Sequence, residues 1–152
     1  LDGIKSHTRN NINLNYSKSG DVDKNTDLII VAIGEKPYAE MNGDRESLDL
    51  SKDDIELVNK LSKSGKPIVM ILISGRPMIL EPILDKCDAI LAAWLPGSEG
   101  AGISDIMFGD YSPTAKLSFT WPKNMKQIPI NFGDTNYDPL YRFGHGLTFK
   151  DW

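Results

Sequence analysis

Three apolar runs in this chain each end in a short polar loop, and the loops hold the residues able to do chemistry. Glu35 follows directly on LIIVAIG (Leu28–Gly34), with Glu40 and Asp44 further along the same stretch, GEKPYAEMNGD. Arg76 lies in SGRP (Ser74–Pro77), after PIVMILI (Pro67–Ile73). Trp94 is near the end of AILAAWL (Ala89–Leu95), and Glu99 follows in PGSEGAG (Pro96–Gly102). A carboxyl that is held rigidly and partly desolvated can act as a general acid or base. Glu35 fits best by position, because Gly34 and Pro37 set how the backbone leaves its strand. Read alone, an acidic residue in such a turn is more often simply solvated. Asp44 fits a turn cap equally well. Arg76 suits a bound carboxylate or a structural ion pair, and unaided the ion pair is favoured.

The elements that must position these residues read as alternating strands and helices. The three runs are apolar throughout rather than alternating, as in strands buried on both faces of a parallel sheet. NINLNY (Asn11–Tyr16) and KLSFTW (Lys116–Trp121) alternate and suit an edge strand and a last strand. SKDDIELVNKLSKSGK predicts a helix with Ser51 as N-cap, apolar Ile55, Val58 and Leu61, and Gly65 as its stop. PMILEPILDK is a weaker helix, interrupted by Pro82. EGAGISDIMFG predicts a short helix ended by Gly109. The pattern is α/β: a layered sandwich with a mostly parallel central sheet flanked by helices. After Asp110 comes a loop-rich C-terminal tail, with Pro113, Pro122, Pro129 and Pro139, whose aromatics are expected to pin it to the body. In such sheets ligands bind beyond the carboxyl ends of the strands, which places Glu35, Glu40, Asp44, Arg76 and Glu99 along one edge. The 152 residues suit a single domain, 1–152.

Composition removes several function classes. The chain has 17 Lys plus Arg against 21 Asp plus Glu, a net charge of −4. That balance argues against a nucleic-acid partner and gives no reason to expect an anionic membrane surface. No stretch has the roughly 18 apolar residues of a membrane span. Cys87 is the only cysteine and reads as a small buried hydrophobe rather than a nucleophile. GSEGAG has the wrong glycine spacing for a dinucleotide loop, and Glu99 would repel a phosphate. His7 and His145 are isolated in sequence, so no metal site is expected and no cofactor is implied. No G-x-S-x-G elbow is present for a serine hydrolase.

Taken together, GEKPYAE-x-x-GD, ILISGRPMIL, DAILAAWLPGSEG, DIMFGDYSPTAKLSFTWPK and QIPINFGD-x-x-YDPLYRFGHGLTF resemble the C-terminal domain of glycoside hydrolase family 3, which holds β-glucosidases and exo-β-glucanases. The resemblance runs from about Asp27 to Phe149, with long motifs in the same order. It implies a retaining β-glucosidase in which an N-terminal barrel domain carries the nucleophile and this α/β domain carries the acid/base. By motif match the acid/base falls on Glu35, with Glu40 as the nearest rival. Strand-end position then gives Arg76 and Asp44 the shaping of its loop, and Trp94 and Glu99 the lining of the neighbouring one. The implied partners are a β-glucoside or β-glucan oligosaccharide and the barrel-bearing domain or chain. The barrel and the first part of the sandwich are expected to lie outside this sequence. The isolated chain is therefore expected to be inactive, with an apolar sheet edge exposed. A secreted or periplasmic location is the family's lean. A non-catalytic carbohydrate-binding or interaction module of the same fold is the alternative, and a plain nucleotide-binding α/β domain is a third.

Overall fold

The computed structural model describes residues 1–8 and 12–151. Its helices are α1 (Asp2–His7), α2 (Lys52–Ser62) and α3 (Gly100–Met107), and its strands are β1 (Ile29–Gly34), β2 (Ile68–Ile73) and β3 (Ala89–Trp94). Single 3₁₀ turns occupy Glu40–Gly43, Leu84–Lys86 and Met125–Gln127. The three strands pair in parallel in the order β1-β2-β3. Ile29 lies beside Ile68 and Gly34 beside Ile73. A register shift at Leu72/Ile73 sets Ile73 beside Trp94. Parallel pairing needs a crossover, and α2 supplies the one between β1 and β2.

The chain divides into two compact units, one of 17–95 with 123–125 and the other of 1–16, 96–122 and 126–152. The first holds the sheet and α2. Ser51 caps α2 as expected, its hydroxyl accepting from the Asp54 N–H, which satisfies one of the helix's unpaired first-turn donors. Gly65, at φ +68°, follows the helix in a left-handed conformation. Val58 and Leu61 of α2 are buried, as are Val31 and Ile33 of β1 and Met70, Ile71 and Leu72 of β2. Each such side chain contributes about 1.5–3 kcal/mol of burial free energy.

Only β2 approaches burial on both faces. β1 alternates, with Ala32 exposed, and every residue of β3 is half-buried. The three runs look alike in sequence, but β1 and β3 are the outer strands of this sheet and β2 the middle one. Leu84–Lys86 is a 3₁₀ turn where the proline-interrupted helix was expected.

The second unit holds α1, α3 and the tail. Residues 12–16 form no strand, and Asn11 lies outside the described residues. Lys116–Trp121 forms no strand either; Trp121 alone bridges Tyr141 in antiparallel fashion. The tail aromatics pack largely on one another. The ring of Trp121, a buried residue, meets Tyr141 edge-on at 6.2 Å, and Phe132 lies 5.7 Å from Phe143. Phe132 and Phe143 are themselves exposed, so these two are not the buried pins expected.

Candidate functional site

The loops after β1 and β2 meet at Glu35. Gly34 stands at φ +145°, and a Cβ there would collide with the Ile73 carbonyl. Glycine therefore lets β1 close on β2 up to its last residue, where the Glu35 N–H donates to the Ile73 carbonyl at 2.9 Å. This turns the Glu35 side chain toward the loop after β2. That loop is closed by Ser74, a buried residue whose hydroxyl donates to the Arg76 carbonyl at 2.8 Å and whose N–H donates to the Trp94 carbonyl at 3.1 Å.

The Glu35 side chain is 4 % exposed and meets four donors. Oε1 lies 3.2 Å from Arg45 Nη1 and 3.1 Å from Arg76 Nε. Oε2 accepts from the Tyr38 hydroxyl at 3.2 Å and from the Gly75 N–H at 3.0 Å. A carboxylate has about four lone-pair sites; three are taken by hydrogen bonds, and Arg76 adds an ion pair. Arg45 also donates through Nη2 to the Asp49 carbonyl at 2.8 Å, and Asp49 bridges Ile79 beyond the second loop.

Tyr38 is held by steric fit. A Cβ on Gly43 would strike its ring and one on Gly75 its hydroxyl. Arg76 lies over the ring, with Cζ 4.7 Å from the centroid. The Arg76 guanidinium is held above its ordinary value, chiefly by its hydrogen bond with Tyr38 and further by the Glu35 charge, against the opposing effect of burial.

Glu40 and Asp44 are on the same loop but outside this cluster. Residues 40–43 form a 3₁₀ turn, and the Asp44 N–H donates to the Met41 carbonyl at 3.0 Å. Glu40, Met41 and Asp44 are exposed. Glu40 stands at φ +50°, a left-handed conformation that L-residues with side chains adopt at a cost of about 1–2 kcal/mol. Trp94 shares that feature, at φ +54°, where β3 passes into its loop. Glu99 falls in the other compact unit, immediately before α3, where its Oε1 accepts from the Ser98 hydroxyl at 2.8 Å.

The structure thus brings Arg76 to Glu35 and adds two residues that sequence reasoning passed over. Tyr38 was inside the quoted motif, but its close fit against Gly43 and Gly75 arises only in the fold. Arg45 sits one position past the motif and is linked to Glu35 only by the fold.

Comparison with known proteins places the chain. Residues 1–149 match the glycosyl hydrolase family 3 C-terminal domain. A β-xylosidase of Formosa agariphila is 31% identical over 98% of this chain and 25% of its own length. A lysosomal β-glucosidase of Dictyostelium discoideum is 36% identical over 85% of this chain and 17% of its own. The solved exo-1,3/1,4-β-glucanase ExoP of a Pseudoalteromonas species superposes with a TM-score of 0.82 at 42% identity, over 89% of this chain and 18% of that one. The chain thus spans a quarter or less of the length of each of these relatives. With its three-stranded parallel sheet in the expected α/β arrangement, the chain belongs to the glycosyl hydrolase family 3 C-terminal domain.

Proposed function

We propose that this domain supplies the acid/base of a retaining β-glucosidase-type hydrolase whose nucleophile lies on a barrel domain outside this chain, and that Glu40, rather than Glu35, is the proton donor. Retention needs two carboxyl groups about 5–5.5 Å apart across the sugar, one to attack the anomeric carbon and one to protonate the leaving oxygen. The second must come within hydrogen-bond reach of that oxygen. The engagement of Glu35 carries this reading: its buried carboxylate is held by three hydrogen bonds and the Arg76 ion pair, which leaves it poorly placed to reach a substrate. Glu40 is five residues on, exposed at the loop tip, in a conformation of the kind that collects at working sites. In this reading Glu35, Arg45, Arg76 and Tyr38 are positioning residues that fix the base of the loop. A β-glucoside or β-xyloside is the substrate class, supported by the names of the relatives. The lysosomal relative supports a protein routed out of the cytosol.

The test is to compare Glu35→Gln and Glu40→Gln in the full-length protein, on aryl β-glucosides with good and poor leaving groups. Loss of the acid/base slows poor leaving groups most, and azide restores turnover as glycosyl azide. That signature is expected from Glu40→Gln. Found instead in Glu35→Gln, it would return the role to Glu35; found in neither, it would remove the role from both residues.

A further inference from the structure

A second cluster lies in the other compact unit, built from α1 and α3. A Cβ on Gly3 would run into the Gly100 carbonyl and the Ala101 nitrogen, so glycine lets the two helices approach this closely. The approach carries His7, at the end of α1, onto Asp105 of α3. His7 Nε2 lies 2.7 Å from Asp105 Oδ1 and 3.6 Å from Asp110 Oδ2. His7 was expected to be isolated; its partners are nearly a hundred positions away in the chain.

The other ring nitrogen settles what Nε2 offers. His7 Nδ1 lies 2.9 Å from the Gly3 carbonyl, which only accepts, so Nδ1 bears a proton. In the neutral ring Nε2 is then an acceptor facing two carboxylate oxygens, three ligand atoms that one shared cation can hold together. A proton on Nε2 reaches Asp105 but leaves Asp110 beyond hydrogen-bond distance. A metal ion engages all three at once. We propose that His7 Nε2, Asp105 and Asp110 form a binding site for a first-row divalent transition-metal ion.

The ligand atoms all lie within 4.8 Å of one another. Bond lengths of about 2.0–2.2 Å set ligand atoms roughly 3–3.5 Å apart, so small side-chain rotations complete the fit. One imidazole and two carboxylates suit zinc-like ions, not the all-oxygen shells of calcium or magnesium nor the thiolates of copper(I). The Nδ1–H to carbonyl bond is the support that metal-bound histidines ordinarily have. Phe108 stacks on the ring at 5.8 Å and fixes its plane. Asp105 and Asp110 are 44% and 54% exposed, so an ion enters from solvent and water fills the remaining positions. Lys5 and Asp2, the other charged residues of α1, pair with each other at 4.0 Å.

The probe is Co²⁺, titrated into the full-length protein and followed by its visible d–d absorption, in wild type, His7→Gln and Asp110→Asn. Each variant is expected to weaken one Co²⁺ site about tenfold or more, with Zn²⁺ displacing Co²⁺ from the wild type. Asp110 pairs with His7 alone among the described residues, so Asp110→Asn keeps the fold and remains informative if His7→Gln does not. Affinity in the wild type is expected to fall as pH drops and a proton takes Nε2. Absence of Co²⁺ binding, equal binding in all three proteins, or an affinity indifferent to pH would each overturn the proposal.

Discussion

Arg76 Nε lies 3.1 Å from Glu35 Oε1 while the same guanidinium covers the Tyr38 ring. One cation thereby fixes both the carboxylate at the base of the loop and the aromatic that supports its far side. Removing the charge from Glu35 leaves Arg45 and Arg76 facing a neutral group. Glu35→Gln is expected to lower unfolding free energy by on the order of 2–3 kcal/mol, the scale of hydrogen bonds to charged groups. Urea denaturation of the two proteins measures it. Because the carboxylate is buried, the loss should persist in high salt, unlike that of a surface pair.

Arg76→Lys tests whether geometry or charge matters at that position. Lysine keeps the charge but offers neither the planar fork nor the flat face that lies over Tyr38. We expect it to be less stable than wild type by about 1 kcal/mol and to lower activity of the full-length protein. Full activity and stability in the lysine variant would reduce the interaction to simple ion pairing.

Glu40 is expected to separate stability from activity. Its φ of +50° suits glycine, so Glu40→Gly should raise stability by about 1 kcal/mol while abolishing turnover of poor leaving groups. A thermal melt beside a kinetic assay reads both quantities. A variant that is destabilised and still active would argue that the loop tip is structural.

His7 has a pH dependence with a definite sign. Its folded value is raised above 6.5, first by the hydrogen bond to the Gly3 carbonyl and then by Asp105 and Asp110, with burial opposing. Charged His7 therefore stabilises the fold fully below 6.5, and that contribution disappears as pH rises through the folded value. Without metal, the difference in melting temperature between wild type and His7→Gln should be largest in acid and shrink above neutrality. A difference that grows with pH would contradict the assignment.

Cys87, expected to be a buried hydrophobe, is only half-buried and lies outside the core, because it sits where the 3₁₀ turn at 84–86 leads into β3. Burial, chiefly, pushes its thiol up from the ordinary value, with Asp88 adding to the shift. Alkylation by iodoacetamide near neutral pH should be slow in the native chain and fast after denaturation.

Much of the architecture was legible in the amino-acid sequence, for local reasons. Ser51, the apolar spacing of Val58 and Leu61, and Gly65 delimit α2 with signals that tertiary packing does not overrule. Which strand lies in the middle is a different matter: LIIVAIG, PIVMILI and AILAAWL carry no mark of sheet order, and burial differs because neighbours differ. The site shows the same division. Glu35 and Arg76 were found from strand-end position, but Arg45 reaches Glu35 across ten residues and Gly75 across forty. Alternation in KLSFTW reads as a strand, yet only Trp121 bridges, and its partner Tyr141 lies beyond three prolines.

The anchor around Glu35 uses residues 35, 38, 45, 75 and 76, and the exposed tip between its fixing points runs from 39 to 44. Gly43 in that interval packs against the anchor, through Tyr38. Beside Glu40, the proton donor of our proposal, Ala39, Met41, Asn42 and Asp44 are exposed and stand clear of the clamp's hydrogen bonds and ion pairs. With Glu40 kept, such a loop works as an interchangeable tool bit in a fixed chuck: a combinatorial library confined to the exposed positions on either side of Glu40 is expected to sample new specificities on an unaltered frame.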